Sequence, residues 1–318
     1  MIEQDNNLTP NNNGENNDDN NKKNKHSTLF VRTITGIFIV LLYSVPIVLS
    51  VYVHDIFFDI LVLALALFAT YEFVRALSVK YAKPLEIFSY LNILLGYGAF
   101  KLLFELKEID AGYAMIGYMS VLLVMVIGSC AFTMFSKNHN IDNALSTIFS
   151  MIYPGTIMAF MIGLNHLGAN SHVAILIAFV VTSLTDTMAY LVGSTLKGKK
   201  LCPTISPNKT ISGAIGGLLG GVCGGVIIYF IAQAGVLKCV PLTATFMSNL
   251  FNFVFLGLGT SIFCQLGDLI SSYIKRGCGI KDFGKILKGH GGFMDRIDGL
   301  IISSVFIFIY LMLMNLIV

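Results

Sequence analysis

Residues 211–236 read ISGAIGGLLGGVCGGVIIYFIAQAGV, a stretch without a single charged side chain. About 20 apolar residues are enough for a helix to cross a membrane, so this stretch by itself predicts a transmembrane helix. Glycines recur at every fourth position in two rows, one at Gly213, Gly217, Gly221 and Gly225 and the other at Gly216, Gly220 and Gly224. Since small residues at this spacing let helices approach closely, we interpret both rows as packing surfaces.

The rest of the chain repeats this apolar character. Of its 318 residues, 55% are hydrophobic and 12% are charged, whereas a soluble domain carries about 25% charged residues. This composition excludes a soluble globular enzyme and a disordered protein, and it predicts an all-α polytopic integral membrane protein. We predict nine spans, at 33–53, 56–75, 87–106, 112–135, 144–164, 173–192, 211–236, 246–268 and 299–317.

The positions of the cations orient these spans, because the cytoplasmic segments of membrane proteins are enriched in Lys and Arg. If the N-terminus is cytoplasmic and the C-terminus lies outside, 18 of the 21 Lys and Arg residues fall on the cytoplasmic side and 3 on the outer side. We therefore predict this orientation. The formal net charge is only +3, which gives no bulk basic field and indicates no nucleic-acid partner.

The chain divides into three regions. Residues 1–26 include ten Asn and almost no apolar side chains, so we predict a disordered cytoplasmic tail. We predict an N-terminal transmembrane region at residues 27–172 and a second transmembrane domain at residues 173–318, which we expect to be the catalytic one. In that domain we predict two cytosolic loops, 193–210 and 269–298, which hold 10 of the 18 inside cations. Any cytosolic chemistry is expected there.

The first of these loops follows an intramembrane acid, Asp186. A carboxylate at membrane depth costs a few kcal/mol unless it is paired or hydrated, so we interpret Asp186 as an acid facing a polar cavity. A proton relay and a metal or substrate ligand remain open alternatives. The loop then carries Lys200, Ser206, Lys209 and Thr210 beside a helix start, which suits phosphate binding, although the residue order of a P-loop is absent.

The second loop region, 264–299, carries the strongest chemical pattern. It places the carboxylates of Asp268, Asp295 and Asp298 near the pair Lys275-Arg276. Oxygen ligands hold Mg²⁺ and cations neutralise phosphate, so this cluster indicates phosphoryl transfer with a divalent metal. Asp295 and Asp298 are three residues apart and would share one face of a helix.

Between these charged groups lie two further patterns. Glycines around His290 permit a tight turn whose backbone approaches a ligand. A short amphipathic helical pattern suited to an anionic membrane surface precedes that turn, with apolar residues Ile280, Phe283 and Leu287 and basic residues Lys281, Lys285 and Lys288.

Together these motifs resemble the signature of phosphatidate cytidylyltransferases, also called CDP-diacylglycerol synthases. The similar run is Ser272-x-x-Lys275-Arg276-x4-Lys281-Asp282-x-Gly284, followed by His290-Gly-Gly-x-x-Asp295-Arg296-x-Asp298. Residues 186–217 are similar to the family's upstream block, through Asp-Thr-x-Ala-Tyr, Gly-Lys-Lys-Leu-x-Pro and Ser-Pro-x-Lys-Thr. Two positions differ from the family pattern: Lys288 stands where a Pro is usual, and Ser212 stands where a Glu is common.

The resemblance implies a membrane-bound nucleotidyltransferase of phospholipid biosynthesis. It would join CTP to phosphatidic acid, giving CDP-diacylglycerol and pyrophosphate. The resemblance further implies Mg²⁺ held by Asp268 and Asp295, and we allow for a second cation. Lys275 and Arg276 complete the expected catalytic set, and Arg276→Lys should be the more damaging exchange there because the planar guanidinium fork is lost.

We also assign a set of substrate- or phosphate-binding residues. They are Asp186, Lys200, Ser206, Lys209, Thr210, Ser272, Lys281, Asp282, His290, Arg296 and Asp298. The expected partners are CTP, phosphatidic acid and membrane lipid, with a homodimer as an allowed assembly and no nucleic acid. We place the protein in the cell or inner membrane with its active site facing the cytoplasm.

Two other interpretations compete with this one. A secondary transporter would use the intramembrane Asp186 and the glycine-rich span for ion coupling, but it leaves the charged cluster of 269–298 unexplained. A non-enzymatic lipid or protein scaffold would explain the basic surface but not the clustered carboxylates.

Overall fold

The computed structural model of the chain describes residues 13–107, 110–136, 140–235, 245–287 and 291–317. Helices make up nearly all of it, with one short hairpin of strands. In chain order the elements are α1 (Asn13–Tyr52), α2 (Ile56–Leu77), α3 (Glu86–Lys107), α4 (Ala111–Phe135), α5 (Ile141–Ser150), α6 (Ala159–Asn165), α7 (Ser171–Leu176), α8 (Thr182–Leu196), β1 (Lys200–Cys202), β2 (Ser206–Thr210), α9 (Ile211–Gln233), α10 (Phe246–Gly277) and α11 (Met294–Ile317).

The predicted class and the number of spans are confirmed. Within the described ranges, nine helical segments are long and apolar enough to cross a membrane. They are Thr33–Tyr52, Ile56–Leu77, Glu86–Glu105, Ala111–Phe135, Ile141–Asn165, Gly168–Leu196, Ile211–Gln233, Phe246–Gly277 and Met294–Met314. The cytoplasmic position of the N-terminus and the outer position of the C-terminus stay predictions.

Two of these spans contain a local change of helix type. In the fifth, a wide π-type turn at Met151–Thr156 separates α5 from α6, and it contains Pro154, which has no N–H to donate to an α-helical ladder. In the sixth, a similar segment at Ile177–Val181 joins α7 to α8. Such turns are frequent at functional sites. Tyr153 lies in the first turn and Asp186 follows the second, and both are close enough to Asp268 for its charge to act on them.

The two predicted loops are shorter and more ordered than the sequence suggested. α10 continues to Gly277 and α11 already begins at Met294, so much of 269–298 is helical. Helix hydrogen bonds lie within the segment and do not require apolar side chains, which is why the helices continue beyond the apolar runs. In the other loop, α8 extends to Leu196 and residues 200–210 form an antiparallel hairpin in which Lys200 pairs with Thr210 and Cys202 with Ser206.

The glycine rows of α9 are packing surfaces, as predicted, and their neighbours are α8 and α10. A Cβ on Gly221 or Gly225 would collide with backbone oxygens of α10, at Gly257 and Phe253. In the second row, a Cβ on Gly220 would reach the carbonyl of Leu184 in α8, and Gly216 and Gly224 face α8 in the same way. α9 is therefore held between α8 and α10, and this close packing builds the floor of the site.

Two predicted segments differ from the structure. α1 begins at Asn13, so the backbone of 13–26 is helical, because extending an existing helix is far easier than nucleating one. The predicted disorder of residues 1–12 lies outside the described residues. The amphipathic helix is wrong for 281–287, which form a non-helical loop closed by the Leu287 N–H to Gly291 carbonyl bond of 3.0 Å. Lys288 lies outside the described part of the chain.

A buried polar network lies at the opposite end of α2 from this loop. Asp59 is fully buried and its carboxylate contacts Lys101 at 3.1 Å, His166 at 2.9 Å and the amide of Asn165 at 2.9 Å. Tyr97 also donates to it, at 3.3 Å. Every oxygen of Asp59 is therefore satisfied, and the network ties α2, α3 and α6 together as structural support.

Candidate active site

A cavity of about 460 Å³, mostly apolar in its lining but with charged and hydroxyl side chains in it, opens between α8, the hairpin, α9 and α10. Four of the predicted site residues line it: Asp186, Lys209, Thr210 and Asp268. The remaining lining residues are Ala189, Tyr190, Gly193, Ser194, Leu201, Asn208, Gly213, Ala214 and Gln265. The structure thus brings the two blocks of sequence motifs to one place.

The central contact of this cavity is an ion pair between the two blocks. Lys209 Nζ donates to Asp268 Oδ2 at 3.0 Å, and both side chains are partly exposed, at 30% and 25%. Lys209 sits near the end of β2, which carries it over the glycine-packed face of α9 towards α10. A cation that is partly exposed and has one carboxylate partner is available to bind an anionic ligand.

The start of α9 also faces the cavity. Thr210 is its N-cap, and the Thr210 Oγ1 accepts the N–H of Gly213 at 3.1 Å. The first N–H groups of a helix carry a partial positive charge and favour phosphate. Ser212, where the family commonly has an acid, donates instead to the carbonyl of Lys197 and so ties the turn before the hairpin to the helix.

Two carboxylates, Asp186 and Asp268, line the cavity, and a third, Asp298, lies beside Asp268 without lining it. Asp186 lies close enough to Asp268 for each to feel the other's charge, and the Cys264 thiol contacts Asp186 Oδ1 at 3.7 Å. Asp298, on the first turns of α11, faces Asp268 in turn. A Cβ on the adjacent Gly299 would lie 3.1 Å from Asp268 Oδ1. Small residues here let α10 and α11 bring their carboxylates together.

The carboxylate oxygens beside the cavity are of the kind that bind Mg²⁺. Mg²⁺ takes oxygen ligands and is commonly held by one or two protein carboxylates together with substrate phosphates and water. Asp268 and Asp298 provide such a pair. Among the described residues, no group of three or more His, Cys, Asp or Glu converges as a closed cage, so an ion bound here would depend on the phosphates of a substrate.

Asp295 is engaged differently from Asp298. Its Oδ1 accepts from Lys275 Nζ at 2.7 Å, and its Oδ2 accepts the N–H groups of Phe283 at 2.9 Å and Gly292 at 3.1 Å. Lys275 and Asp295 are both largely buried, with side-chain exposures of 12% and 6%. As placed, this pair holds the loop between α10 and α11 closed.

Arg276 lies on the surface beside this pair. It is exposed, and its Nη1 donates to the carbonyl of Ile280 at 3.1 Å. Neither Lys275 nor Arg276 lines the cavity. Their predicted catalytic roles stay predictions, and the contacts seen here are those of residues that hold the end of α10 and the following loop.

The other predicted binding residues in the described part of the chain do not line the cavity. Lys200, Lys281, Asp282 and Arg296 are exposed, and Ser206 and Ser272 are half-buried. The positive charge of Arg296 acts on Asp186. His290 lies outside the described residues.

Three polar residues near the site were missed from the sequence. Gln265 lines the cavity and donates to the carbonyl of Ala214 at 3.3 Å. The Tyr153 hydroxyl is buried, has no hydrogen-bond partner among the described residues and lies near Asp298. Glu72, on α2, is buried against the loop that precedes α11. The sequence held a signal for Glu72, since it is one of two acids, with Asp59, in the largely apolar span of α2.

Comparisons with known proteins support a single family. The model of the cytidylyltransferase family matches residues 30–314. A phosphatidate cytidylyltransferase from Staphylococcus haemolyticus is 33% identical over 269 residues, which cover 84% of this chain and 93% of that protein. Proteins of the same name from Staphylococcus aureus and Bacillus subtilis are each 32% identical, over 273 and 201 residues, covering 84% and 63% of this chain and 93% and 70% of those proteins.

Proposed function

The chain belongs to the cytidylyltransferase family, and we propose that it transfers the cytidylyl group of CTP to phosphatidic acid, giving CDP-diacylglycerol and pyrophosphate. The relatives that it matches over most of their length are named phosphatidate cytidylyltransferases. The structural observation that carries this proposal is the Lys209–Asp268 pair at 3.0 Å. It joins a phosphate-binding segment to a carboxylate cluster inside one cavity.

In this reaction the phosphate of phosphatidic acid is itself the nucleophile, so the protein needs no Ser or Cys nucleophile. Its task is to bring two anionic groups together and to offset the charge that develops during transfer. Lys209 and the N-terminus of α9 are suited to the phosphates of CTP. Lys209 would exchange its contact with Asp268 for a phosphate oxygen, and Thr210 fixes the helix start at which those phosphates lie.

We propose that Asp268 is a ligand of Mg²⁺ in the loaded enzyme. Mg²⁺ supplies Lewis-acid stabilisation of phosphate charge. Asp298 is the second carboxylate that faces Asp268, whereas Asp295, the ligand implied by the resemblance, has both oxygens engaged by protein donors. Asp295 keeps one free acceptor position, on Oδ1, since a carboxylate has about four; it therefore stays a proposed ligand beside Asp298. A second cation remains part of the proposal, at the same cluster.

The site is proposed to face the cytoplasm, because CTP is cytosolic and the cations flanking the site follow the positive-inside rule. Phosphatidic acid would reach it from the membrane that surrounds the nine spans. A homodimer is proposed as the assembly, and crosslinking of the protein in native membranes tests it: a crosslinked pair supports the dimer, and monomers alone contradict it.

The transporter alternative gains no support from the structure or the comparisons. Asp186 does not stand alone in a span, as an ion-coupling acid would in that interpretation. It shares a cavity with Lys209, Thr210 and Asp268, which are the partners a phosphate- or metal-binding acid requires.

The reaction is tested with the purified protein in detergent. We expect CTP and phosphatidic acid together to give CDP-diacylglycerol and pyrophosphate in equal amounts, and EDTA to stop the reaction until excess Mg²⁺ is restored. Absence of both products from correctly folded protein, with CTP and phosphatidic acid present at saturating concentrations, would overturn the proposed function.

A further inference from the structure

The loop between α10 and α11 rests on a buried acid from the N-terminal half of the chain. Glu72 is 2% exposed, and its Oε2 accepts the N–H of Met294 at 2.9 Å. The two residues are 222 positions apart in sequence. We propose that Glu72 is a positioning residue for the transfer reaction, because it holds the start of α11, the helix that carries Asp298.

The Met294 N–H that Glu72 accepts is one that the helix itself leaves without a hydrogen-bond partner. Met294 is the first residue of α11, and the first N–H groups of a helix have no partner within the helix. A carboxylate that accepts one of them also meets the positive end of the helix dipole. Asp295 and Asp298 follow one and four residues later, so the Glu72 contact fixes the part of α11 from which both project.

Two glycines of the loop show how closely Glu72 is packed. A Cβ on Gly284 or on Gly292 would collide with the Glu72 carboxyl group. Gly292 is also the residue whose N–H binds Asp295 Oδ2 at 3.1 Å. The loop is therefore held from both sides, by Glu72 on one and Asp295 on the other, and the absence of a side chain at 284 and 292 is what allows the acid to reach it.

Aromatic contacts place the same face of α2 along the loop. The Phe73 ring lies 5.8 Å from that of Phe283, and the Phe68 ring stacks on that of Phe293 at 5.3 Å. Glu72 lies between these two contacts on α2. The aromatic pairs pack the loop against α2. Glu72 is the polar group between them, and its bond to the Met294 N–H sets where α11 begins relative to α2.

This inference rests on the proposed function only for the catalytic consequence. The structural part is independent of activity, because it concerns the order of the loop. Hydrogen exchange of the backbone amides of 278–287 and 291–294, followed by mass spectrometry on the protein in detergent, measures it directly. In Glu72→Ala we expect these amides to exchange at least tenfold faster, while amides of the hairpin 200–210 exchange as in the wild type.

The catalytic part predicts a split between two kinetic constants. Displacing reacting groups by about 1 Å can cost about 100-fold in rate, so Glu72→Ala should lower kcat by about 10- to 100-fold. KM for CTP should change by less than about threefold, because Lys209 and Thr210 lie on other elements. Glu72→Gln keeps an oxygen that accepts the Met294 N–H and should restore kcat to within about fivefold of the wild type.

Asp59→Asn is the matched control, since Asp59 is an equally buried acid of the same helix, remote from the loop. It should lower thermal stability without faster exchange at 278–294. If Glu72→Ala does not fold, Gly284→Ala tests the same contact from the loop side. Combining Gly284→Ala with Glu72→Gln should leave the faster exchange and the lower kcat unchanged, because the side chain keeps its length. Combining Gly284→Ala with Glu72→Asp should reduce both effects, because the acid is shorter.

The outcomes separate the two proposals. Faster loop exchange in Glu72→Ala together with an inactive wild type would overturn the proposed reaction but support the contact between Glu72 and the loop. Wild-type loop exchange and wild-type kcat in Glu72→Ala, or an identical loss in Asp59→Asn, would overturn the positioning role. A Gly284→Ala variant with normal exchange and kcat would overturn the packing on which that role depends.

Discussion

Lys275 and Arg276 are adjacent in sequence but make contacts of very different kinds, and exchanging them should reveal it. Lys275 forms a 2.7 Å ion pair with Asp295 in which both side chains are largely buried. Its Nζ also lies 5.4 Å from the centre of the Phe283 ring. Arg276 is exposed and makes a hydrogen bond to a backbone carbonyl, that of Ile280. We therefore expect position 275 to be the sensitive one.

The size of the effect follows from burial. Removing one partner of a buried ion pair costs about 3–5 kcal/mol, since it leaves a charge uncompensated. Lys275→Met leaves Asp295 with two amide donors, so the lower end, about 3 kcal/mol, applies. At about 1.4 kcal/mol per factor of ten, the closed loop loses up to about 150-fold in stability.

The conservative exchanges should differ as well. Lys275→Arg keeps the charge but forces a larger group into a site where Lys275 is 12% exposed, and overpacking costs about 1–3 kcal/mol. Arg276→Lys removes a surface contact, and such changes stay within about 0.5 kcal/mol. We expect about a tenfold loss of kcat for the first and less than about a threefold change for the second, which is the reverse of the order that the guanidinium fork suggested from the sequence.

The assay is CDP-diacylglycerol formation in detergent, with kcat and KM for CTP measured on equal amounts of folded protein. Thermal unfolding of each variant shows whether the loss is local or global. If Arg276→Lys lost more activity than Lys275→Arg, or if Lys275→Met kept wild-type kcat, the buried pair would not be what holds the loop. Arg276 would then have to reach a substrate phosphate instead of the carbonyl of Ile280.

Three further outcomes are expected. Asp268→Asn and Asp298→Asn should each raise the Mg²⁺ concentration for half-maximal activity at least about tenfold; an unchanged Mg²⁺ titration would remove that residue from the metal site. Lys209→Met should raise KM for CTP about tenfold or more, and an unaltered KM argues against phosphate contact. Gly225→Ala, whose Cβ would collide with α10, should lower thermal stability, whereas Gly98→Ala, with open space around it, should not; equal stabilities would contradict the packing.

The nine spans could be predicted because each is a continuous apolar run that is visible in the sequence. An apolar run of about 20 residues has few alternatives to a membrane helix. The spacing of the glycines in α9 predicted close packing, but not that the partners are α8 and α10. The ends of the helices could not be read in the same way. α10 continues through Ser271 and Lys275 to Gly277, since a polar side chain ends an apolar run without ending a helix.

The grouping of some motif residues in space was predictable, while their roles stay predictions. Asp186, Lys209, Thr210 and Asp268 were all expected to bind substrate or metal, and all line one cavity. The different contacts of neighbouring acids could not be predicted from the sequence. Asp295 and Asp298 look alike in sequence, and only the donors around Asp295 distinguish them.

Glu72 marks the limit of the sequence-based prediction. Its partner is a backbone N–H 222 residues away, and neither residue type nor spacing indicates such a contact. The glycines at 284 and 292 are visible in the sequence, but they have two possible explanations. Glycine suits both a tight turn near a ligand and close packing on a buried acid. The packing of α2 against the loop decides between them.

One experiment tests the central claim most directly: conversion of CTP and phosphatidic acid by the purified wild type, compared with Asp268→Asn and Lys209→Met at equal folded protein. Asp268 and Lys209 form the 3.0 Å pair that joins the two halves of the cavity. We predict that the wild type forms CDP-diacylglycerol and pyrophosphate in equal amounts, that Asp268→Asn is nearly inactive and that Lys209→Met needs more CTP. Full activity in Asp268→Asn, or no product from the folded wild type, would contradict the assignment of this cavity as the cytidylyltransferase site.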